Sequence, residues 1–230
     1  LALSVTAGAV LLRGAGASAP SGAVRRSGAP GGVRELPFLP LVAIGMIAAL
    51  AFAVENAHQS WSAVFLTDAL AAGAGLSAAA PAVFAAVASI ARFSVGDLGS
   101  RHPAGLLLAG GTAAVLGTAT VAAAQHLPVA LAGLALAAAG TAVLYPTLIA
   151  AGLAHVPGEQ RGRATSRVAT TAYLGFLAGP VYVGFFADHG TLRTALIAVA
   201  ALAVLFTLLT TPVTRYAGRR LAGLVNSPGS

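Results

Sequence analysis

The sequence predicts an all-α membrane protein whose helices cross the bilayer six times. Three observations lead to this fold class. Hydrophobic residues make up 57% of the chain and charged residues only 8%, so the chain cannot form the charged surface that a soluble domain needs. Six apolar runs are each long enough to cross the hydrocarbon core as helices. The arginines that flank these runs lie almost entirely on one side of the predicted membrane.

The first 35 residues divide into two segments that precede the six runs. Residues 1–12 are apolar, but a helix needs about 20 residues to cross the bilayer, so we expect them to be the end of a preceding transmembrane helix. A signal peptide carries its positive charge before its apolar core, whereas Arg13 follows this stretch. Residues 13–35 are rich in Gly, Ala, Ser and Pro and contain arginines, which is typical of a flexible basic linker.

The six predicted helices are the apolar runs at residues 36–66, 77–95, 104–124, 128–153, 168–187 and 196–213. Ser77 is a plausible N-cap of the second helix, and Thr210, Thr211 and Pro212 are expected to end the sixth. Helices are required because a spanning segment must satisfy its own backbone hydrogen bonds, and the runs lack the period-two polarity of membrane β-strands. We therefore expect a six-helix bundle over residues 36–214 and a cytoplasmic tail over residues 215–230.

The distribution of arginines predicts the orientation. The linker side receives Arg13, Arg25, Arg26, Arg34, Arg92, Arg101, Arg161, Arg163, Arg167, Arg215, Arg219 and Arg220. The opposite side receives only Arg193. By the positive-inside rule, the linker and both ends face the cytoplasm of a multi-pass protein of the cell membrane.

Composition and motifs exclude several other classes. The chain has no Cys, which excludes disulfide scaffolds and thiolate metal sites. The basic residues lie between apolar runs rather than on one polar face, which argues against a nucleic-acid partner. The histidines at predicted helix ends, His126, His155 and His189, have no metal-ligand spacing. Neither a hydrolase elbow, a zinc-protease motif nor a nucleotide-binding loop is present, so we expect no enzyme and no cofactor.

Three stretches of sequence, taken in order, carry a family resemblance. Residues 55–66 place an acid ahead of a Trp-Ser-x-x-aromatic-Leu pattern. Residues 91–102 contain Gly-Asp followed by basic residues, and residues 172–180 end in Gly-Pro. With this order and spacing, residues 36–215 resemble the C-terminal half of a major facilitator superfamily transporter, most similar to bacterial permeases grouped with sugar and drug-efflux members.

The resemblance implies an architecture and a mechanism. The six helices would be helices 7–12 of a twelve-helix bundle, built as two inverted three-helix repeats. Residues 13–35 would connect them to an N-terminal half. The two halves would move a small solute by rocker-switch alternating access, with protons as the most plausible coupling ion because no nucleotide-binding motif is present.

Glu55 is the most informative residue in the predicted helices, because an ionisable group inside an apolar helix is costly unless it is paired or hydrated. One interpretation makes it a proton- or substrate-coupling carboxylate that faces a central cavity. The other places it at the outer interface, where it is solvated or held by Asn56, His58 or Gln59.

Other residues are candidates for contact with the substrate. Asn56, Gln59 and Trp61 form a polar and aromatic cluster with Glu55, and Gln59 shares a helix face with Glu55. Trp61 would stack on a sugar-like ligand or anchor the helix at the interface. Tyr145 and Tyr173 lie near prolines inside helices and would offer hydroxyl groups to a substrate, or lie at an interface.

A gating loop is predicted between the second and third helices. The resemblance implies that Arg92, Asp97 and Arg101 form a charge relay that latches the closed state. Leu98 and Ser100 depart from the family pattern, in which a basic residue and a glycine are usual. The alternative is that these charges only flank the helix, as the positive-inside rule requires.

Small residues and prolines predict how the helices pack and bend. Gly175 and Gly179 are four residues apart and predict a close helix contact. Pro146 and Pro180 predict kinks that either line a transport site or serve packing alone.

Two other functions are compatible with the sequence. One is a six-helix channel or membrane subunit that acts as an oligomer, although no helix shows a polar stripe along its length. The other is a scaffold or truncated gene fragment without transport activity, since one half of a transporter encloses no complete cavity. The few polar residues in the spans favour a hydrophobic or weakly polar solute.

Overall fold

The computed structural model describes residues 36–95, 99 and 101–226, the last three of them as helical backbone only. This part of the chain forms helices α1 (Phe38–Leu70), α2 (Ala74–Ser94), α3 (Pro103–Ala123), α4 (Leu127–Gly152), α5 (Gly158–Asp188) and α6 (Leu192–Asn226). The segments predicted at residues 1–12 and 13–35, the loop residue Asp97 and residues 227–230 lie outside the described residues.

The predicted fold class is confirmed for the described residues. Each of the six helices there is long and apolar enough to cross a membrane, and the only elements assigned are helices. The connections are short, so consecutive spans are antiparallel. The beginnings of α1, α3 and α5 therefore lie on the same side as the ends of α2, α4 and α6.

The start of the fifth helix was predicted ten residues too late. The sequence predicts residue 168, whereas α5 begins at Gly158. The additional turns are polar on one side, which hides them from a search for apolar runs. Ala164 and Val168 are nevertheless buried one turn apart on the other side, and Glu159 lies in the first turn, where an acid favours the helix dipole.

The predicted end of the sixth helix is also wrong. Pro212 does not stop the helix, since α6 continues to Asn226 and the predicted boundary at residue 214 falls inside it. Proline is tolerated within membrane helices because neighbouring groups satisfy the backbone. Beyond Pro212, Ala217 and Leu221 are fully buried one turn apart in a hydrophobic cluster that includes Leu153 and Val156. This packing explains why the helix continues.

Ser77 is not the N-cap of α2. Gly73 occupies that position without a capping side chain, and α2 begins at Ala74. The Ser77 hydroxyl lies within the first turn, where it donates to the carbonyls of Ala72 and Gly73, both at 3.3 Å.

The helix contacts are those expected for two related three-helix units, α1–α3 and α4–α6, in which the first helix of each unit packs on the second and third helices of the other. α1 packs on α5 and α6, whereas α4 packs on α2 and α3, their counterparts in the other unit. The contacts α1–α4 and α3–α6 join equivalent helices of the two units. This arrangement agrees with the predicted inverted repeats.

The contact between α1 and α5 is close and is built from small residues, as predicted from Gly175 and Gly179. A methyl group at Gly175 would overlap the carbonyl oxygen of Ala49, and one at Gly179 would lie 2.9 Å from the carbonyl oxygen of Ala53. The backbones of α1 and α5 can approach this closely only because these positions lack side chains. The prediction of a close packing face is confirmed.

Candidate functional site

An ion pair lies within the bundle at the middle of α1. Glu55 is 8% exposed, and its Oε1 atom lies 2.6 Å from Nη2 of Arg92 in the last turn of α2. Gln59, one turn along α1, donates to the same oxygen from Nε2 at 3.1 Å. A carboxylate inside a span is tolerated when it is paired in this way. The interpretation in which Glu55 is simply solvated is therefore wrong, and Gln59 is the neighbour that holds it.

The sequence predicted Arg92 to be part of the gating relay with Asp97 and Arg101, or a flanking charge at the inner end of α2. The structure instead places its guanidinium beside Glu55, about 25 Å along the α1 axis from Phe38 at 1.5 Å per residue. This depth is possible because α2 is much shorter than α1, so that the last turn of α2 lies beside the middle of α1. The long arginine side chain then remains half-exposed, at 46%.

Arg92 also compensates for a proline in α4. Pro146 has no backbone N–H, so the carbonyl of Ala142, four residues earlier, loses its helical partner. Nε of Arg92 donates to this carbonyl oxygen at 3.3 Å. One guanidinium thus joins the carboxylate of α1 to the carbonyl that Pro146 frees in α4.

Asn56 donates a hydrogen bond to the carbonyl that a second proline frees. Pro180 frees the carbonyl of Phe176 in α5, and Nδ2 of Asn56 donates to that oxygen at 2.5 Å. The hydroxyl of Ser60 in turn donates to Oδ1 of Asn56 at 3.1 Å and holds the amide in place. At both prolines that were predicted to kink α4 and α5, the freed carbonyl therefore accepts a hydrogen bond from a polar side chain of the candidate site.

Aromatic rings from three helices lie next to these polar groups. Phe52, one turn before Glu55 and Asn56, stacks on Tyr145 of α4 with ring centroids 4.5 Å apart. Its ring also lies 5.6 Å from Tyr173 and 6.4 Å from Phe176, both in α5. Tyr173 and Phe176 remain exposed, at 57% and 39%. Aromatic faces that remain open beside a charged pair can bind the apolar part of a solute.

The structure brings together most of the predicted site residues. Glu55, Gln59 and Arg92 form one polar group, Asn56 extends it to α5, and Tyr145 and Tyr173 contribute to the adjoining aromatic group. Phe52, Phe176 and Ser60 were missed in the site prediction. Phe176 and Ala142 each lie four positions before a proline, which leaves their carbonyl groups without a helical donor. This spacing is the sequence signal that could have identified them.

Trp61 lies apart from this group. Its ring packs toward Gly184 of α5, at 3.6 Å from the position that a methyl group there would occupy. It belongs to a core cluster that includes Val183 and Val199. The structure does not bring Trp61 to the ion pair or to the rings around Phe52.

His58 also faces away from the ion pair. Its Nε2 atom lies 2.8 Å from the hydroxyl oxygen of Thr118, whose own proton goes to the carbonyl of Ala114 at 2.7 Å. The imidazole must therefore donate, and it joins α1 to α3 through a fully buried hydrogen bond. This contact is structural and leaves Gln59 as the partner of Glu55 on α1.

The structure describes only part of the predicted gating loop. Arg101 is exposed at the start of the segment that leads into α3, and Asp97 lies outside the described residues. On the opposite side of the bundle, Arg193 donates to the carbonyl of Ala122 at 2.8 Å, in the last turn of α3. Its guanidinium also lies over the ring of Phe65 at 5.6 Å, so the one arginine that the described residues place on that side has a structural role.

No group of three or more His, Asp or Glu side chains that could hold a metal ion occurs in the described residues. The charges of the candidate site form a single pair, and its other members are amides, a hydroxyl and aromatic rings. The arrangement is suited to binding a solute and rearranging hydrogen bonds.

Peptide transporters are among the solved structures that are similar to this fold. A mutant of the peptide transporter POT in complex with sulfate is 17% identical with a TM-score of 0.64, over 76% of this chain and 37% of that chain. A mutant POT in complex with alafosfalin is 16% identical with a TM-score of 0.65, over 77% and 38%. POT in complex with sulfate is 15% identical with a TM-score of 0.65, over 76% and 37%.

At these identities the similarity concerns the fold, and the chain spans 37% of the length of the first of these structures. No curated protein matches the chain. The family model for the Major Facilitator Superfamily matches residues 44–225, well over half of the chain. Together with six membrane-length helices, this match identifies the chain as a multi-pass membrane protein that belongs to the Major Facilitator Superfamily.

Proposed function

We propose that the chain forms one half of a secondary active transporter that moves a small solute by rocker-switch alternating access. A second bundle of similar size, the N-terminal half expected from the resemblance, would close the cavity on the side of the exposed rings. The position of the Glu55–Arg92 pair supports this proposal. It lies at the middle of a span, where a charged pair is costly to bury. A pair that is kept there in spite of this cost indicates a functional role.

The pair also suggests how a proton would drive the cycle. Protonation of Glu55 would remove the charge that holds Arg92, leaving the guanidinium free to move toward the cavity. Because the same guanidinium binds the carbonyl of Ala142, its movement would change the support of the α4 kink at Pro146. Proton binding in α1 would thus alter the shape of α4, the helix that carries Tyr145.

The aromatic rings favour a solute with an apolar or planar part. Phe52, Tyr145, Tyr173 and Phe176 offer ring faces and two hydroxyl groups beside the charged pair. Peptides belong in the test panel because the similar solved structures are peptide transporters. Sugars and aromatic organic ions complete the panel, and the direction of movement separates uptake from efflux.

In the proposed orientation the protein lies in the cell membrane and both of its ends face the cytoplasm. The described arginines other than Arg92 support it, since all of them except Arg193 lie at helix ends or connections on the side where α1 begins. The resemblance implies a gating relay of Arg92, Asp97 and Arg101; with Arg92 paired to Glu55, we propose that Asp97 and Arg101 form it on that side.

The test replaces Glu55 by Gln in the full-length protein reconstituted into liposomes. A solute from the panel that moves protons in the native protein is chosen as the probe. We expect Glu55→Gln to abolish proton-driven accumulation of this probe while its exchange across the membrane continues, because the amide keeps the shape but cannot titrate.

Asp68→Asn is the matched control, since Asp68 is an exposed acid near the end of the same helix. It should leave accumulation unchanged. Unchanged and still pH-dependent accumulation by Glu55→Gln would remove Glu55 from the coupling mechanism.

A further inference from the structure

A basic concavity of about 390 Å³ lies at the inner end of α6, away from the candidate transport site. It is lined by His155, Thr214, Arg215, Gly218, Arg219 and Ala222. Gly218 faces His155 across it, since a methyl group at Gly218 would lie 3.9 Å from the His155 ring, in ordinary van der Waals contact. The concavity therefore lies between the α4–α5 connection and the last turns of α6.

The two arginines of this concavity have no protein partner among the described residues. Arg215 and Arg219 are one turn apart on the same face of α6 and are both exposed. The ion pair found in the described part of the chain joins Arg92 to Glu55, far from this end of α6. Among the described residues no acid lines the concavity, whereas two arginines do.

The concavity continues into an exposed apolar stripe of α6. Val204 and Leu208 are 40% and 67% exposed, and Arg215 follows Leu208 by two helical turns on the same face. Tyr216 follows Arg215 directly in α6 and therefore lies at the same depth as Arg215. The guanidinium of Arg220 lies 5.7 Å from the centroid of the Tyr216 ring. Tyrosine and arginine at the end of an apolar stripe mark the depth of the lipid headgroups.

We propose that this concavity binds the phosphate of an anionic phospholipid, with one acyl chain along Val204 and Leu208. The two guanidinium groups provide paired donors for phosphate oxygens, and His155 and Thr214 provide further polar contacts. The apolar stripe favours a lipid over a free phosphate ion, because a free ion makes no use of it. Basic recesses at the cytoplasmic ends of membrane helices bind anionic headgroups in this manner.

The test measures lipid binding to the purified full-length protein by native mass spectrometry, with phosphatidylglycerol and phosphatidylcholine as probes. We expect phosphatidylglycerol to bind more tightly than phosphatidylcholine. Arg215→Gln and Arg219→Gln should each weaken phosphatidylglycerol binding about fivefold, since each removes one charge near the membrane surface. Gly218→Leu should weaken binding similarly, because it fills the concavity and leaves both charges in place.

Arg163→Gln is the matched control, since Arg163 is an exposed arginine on the same side but outside the concavity. It should leave phosphatidylglycerol binding unchanged. Equal weakening by Arg163→Gln would show a diffuse charge effect and overturn the proposal. Equal binding of phosphatidylcholine, or displacement of phosphatidylglycerol by millimolar inorganic phosphate, would likewise overturn the assignment to an anionic lipid.

Discussion

At the scale of single residues, the candidate site is organised by two prolines. Each proline frees one backbone carbonyl, and each carbonyl receives a side-chain donor from another helix, Asn56 at Phe176 and Arg92 at Ala142. A freed carbonyl inside a membrane is costly unless it finds a donor. Asn56 and Arg92 therefore hold the kinked helices in position as well as contributing polar groups to the site.

Asn56→Ala is expected to destabilise the protein by about 1 kcal/mol, the size of an interhelical hydrogen bond in membranes, because it leaves the Phe176 carbonyl without a donor. Thermal unfolding in detergent measures this loss. In a Pro180→Ala background the helix supplies its own donor to Phe176, so the same substitution should cost clearly less. Equal costs in both backgrounds would show that the hydrogen bond to the freed carbonyl does not stabilise the protein.

At the scale of helices, the contact between α1 and α5 depends on the absence of side chains. The carbonyl groups of Ala49 and Ala53 face Gly175 and Gly179 at a separation that no methyl group fits. The same feature joins α3 to α4, where Gly117 and Gly133 lie against each other's helix backbone. Without a hydrophobic driving force between helices in lipid, such close packing is a main source of stability.

Gly175→Ala is expected to destabilise the protein by about 1–3 kcal/mol, because the added methyl group forces α5 away from the backbone of α1. Gly162→Ala is the control, since a methyl group there meets nothing within 4 Å. Thermal unfolding of the two variants checks the prediction. It fails if both variants unfold at the same temperature as the native protein.

At the scale of the whole molecule, the six-span topology makes a prediction about sidedness. The chain has no cysteine, so single cysteines can be introduced without background labelling. Gln125 lies in the α3–α4 connection and Gly158 at the start of α5, and both are exposed. Since these positions are separated by one span, the proposed orientation places Gln125 outside the cell and Gly158 in the cytoplasm.

Gln125→Cys should therefore react with a membrane-impermeant maleimide in intact cells, whereas Gly158→Cys should react only after permeabilisation. Labelling yields before and after permeabilisation are the measurement. The reverse pattern would invert the proposed orientation, and labelling of both positions in intact cells would contradict the separation by one span.

The sequence alone determined the fold class and the number of spans. Run length and hydropathy are local properties that determine whether a segment crosses the bilayer as a helix, and the positions of the arginines predict the orientation. It also predicted Glu55, Asn56, Gln59, Tyr145 and Tyr173 as candidates, because ionisable, polar and aromatic groups are conspicuous in apolar helices. Helix ends were less predictable: the start of α5 is amphipathic, and tertiary contacts carry α6 through Pro212.

Only the tertiary structure decided which of these residues act together. The contact of Glu55 with Arg92 spans 37 positions in the sequence, and that of Asn56 with Phe176 spans 120. It also separated Trp61 from the site and added Phe52 as the centre of the aromatic group. Helical periodicity identifies residues on one face of one helix, but the relative depth and rotation of neighbouring helices arise from side-chain packing between them.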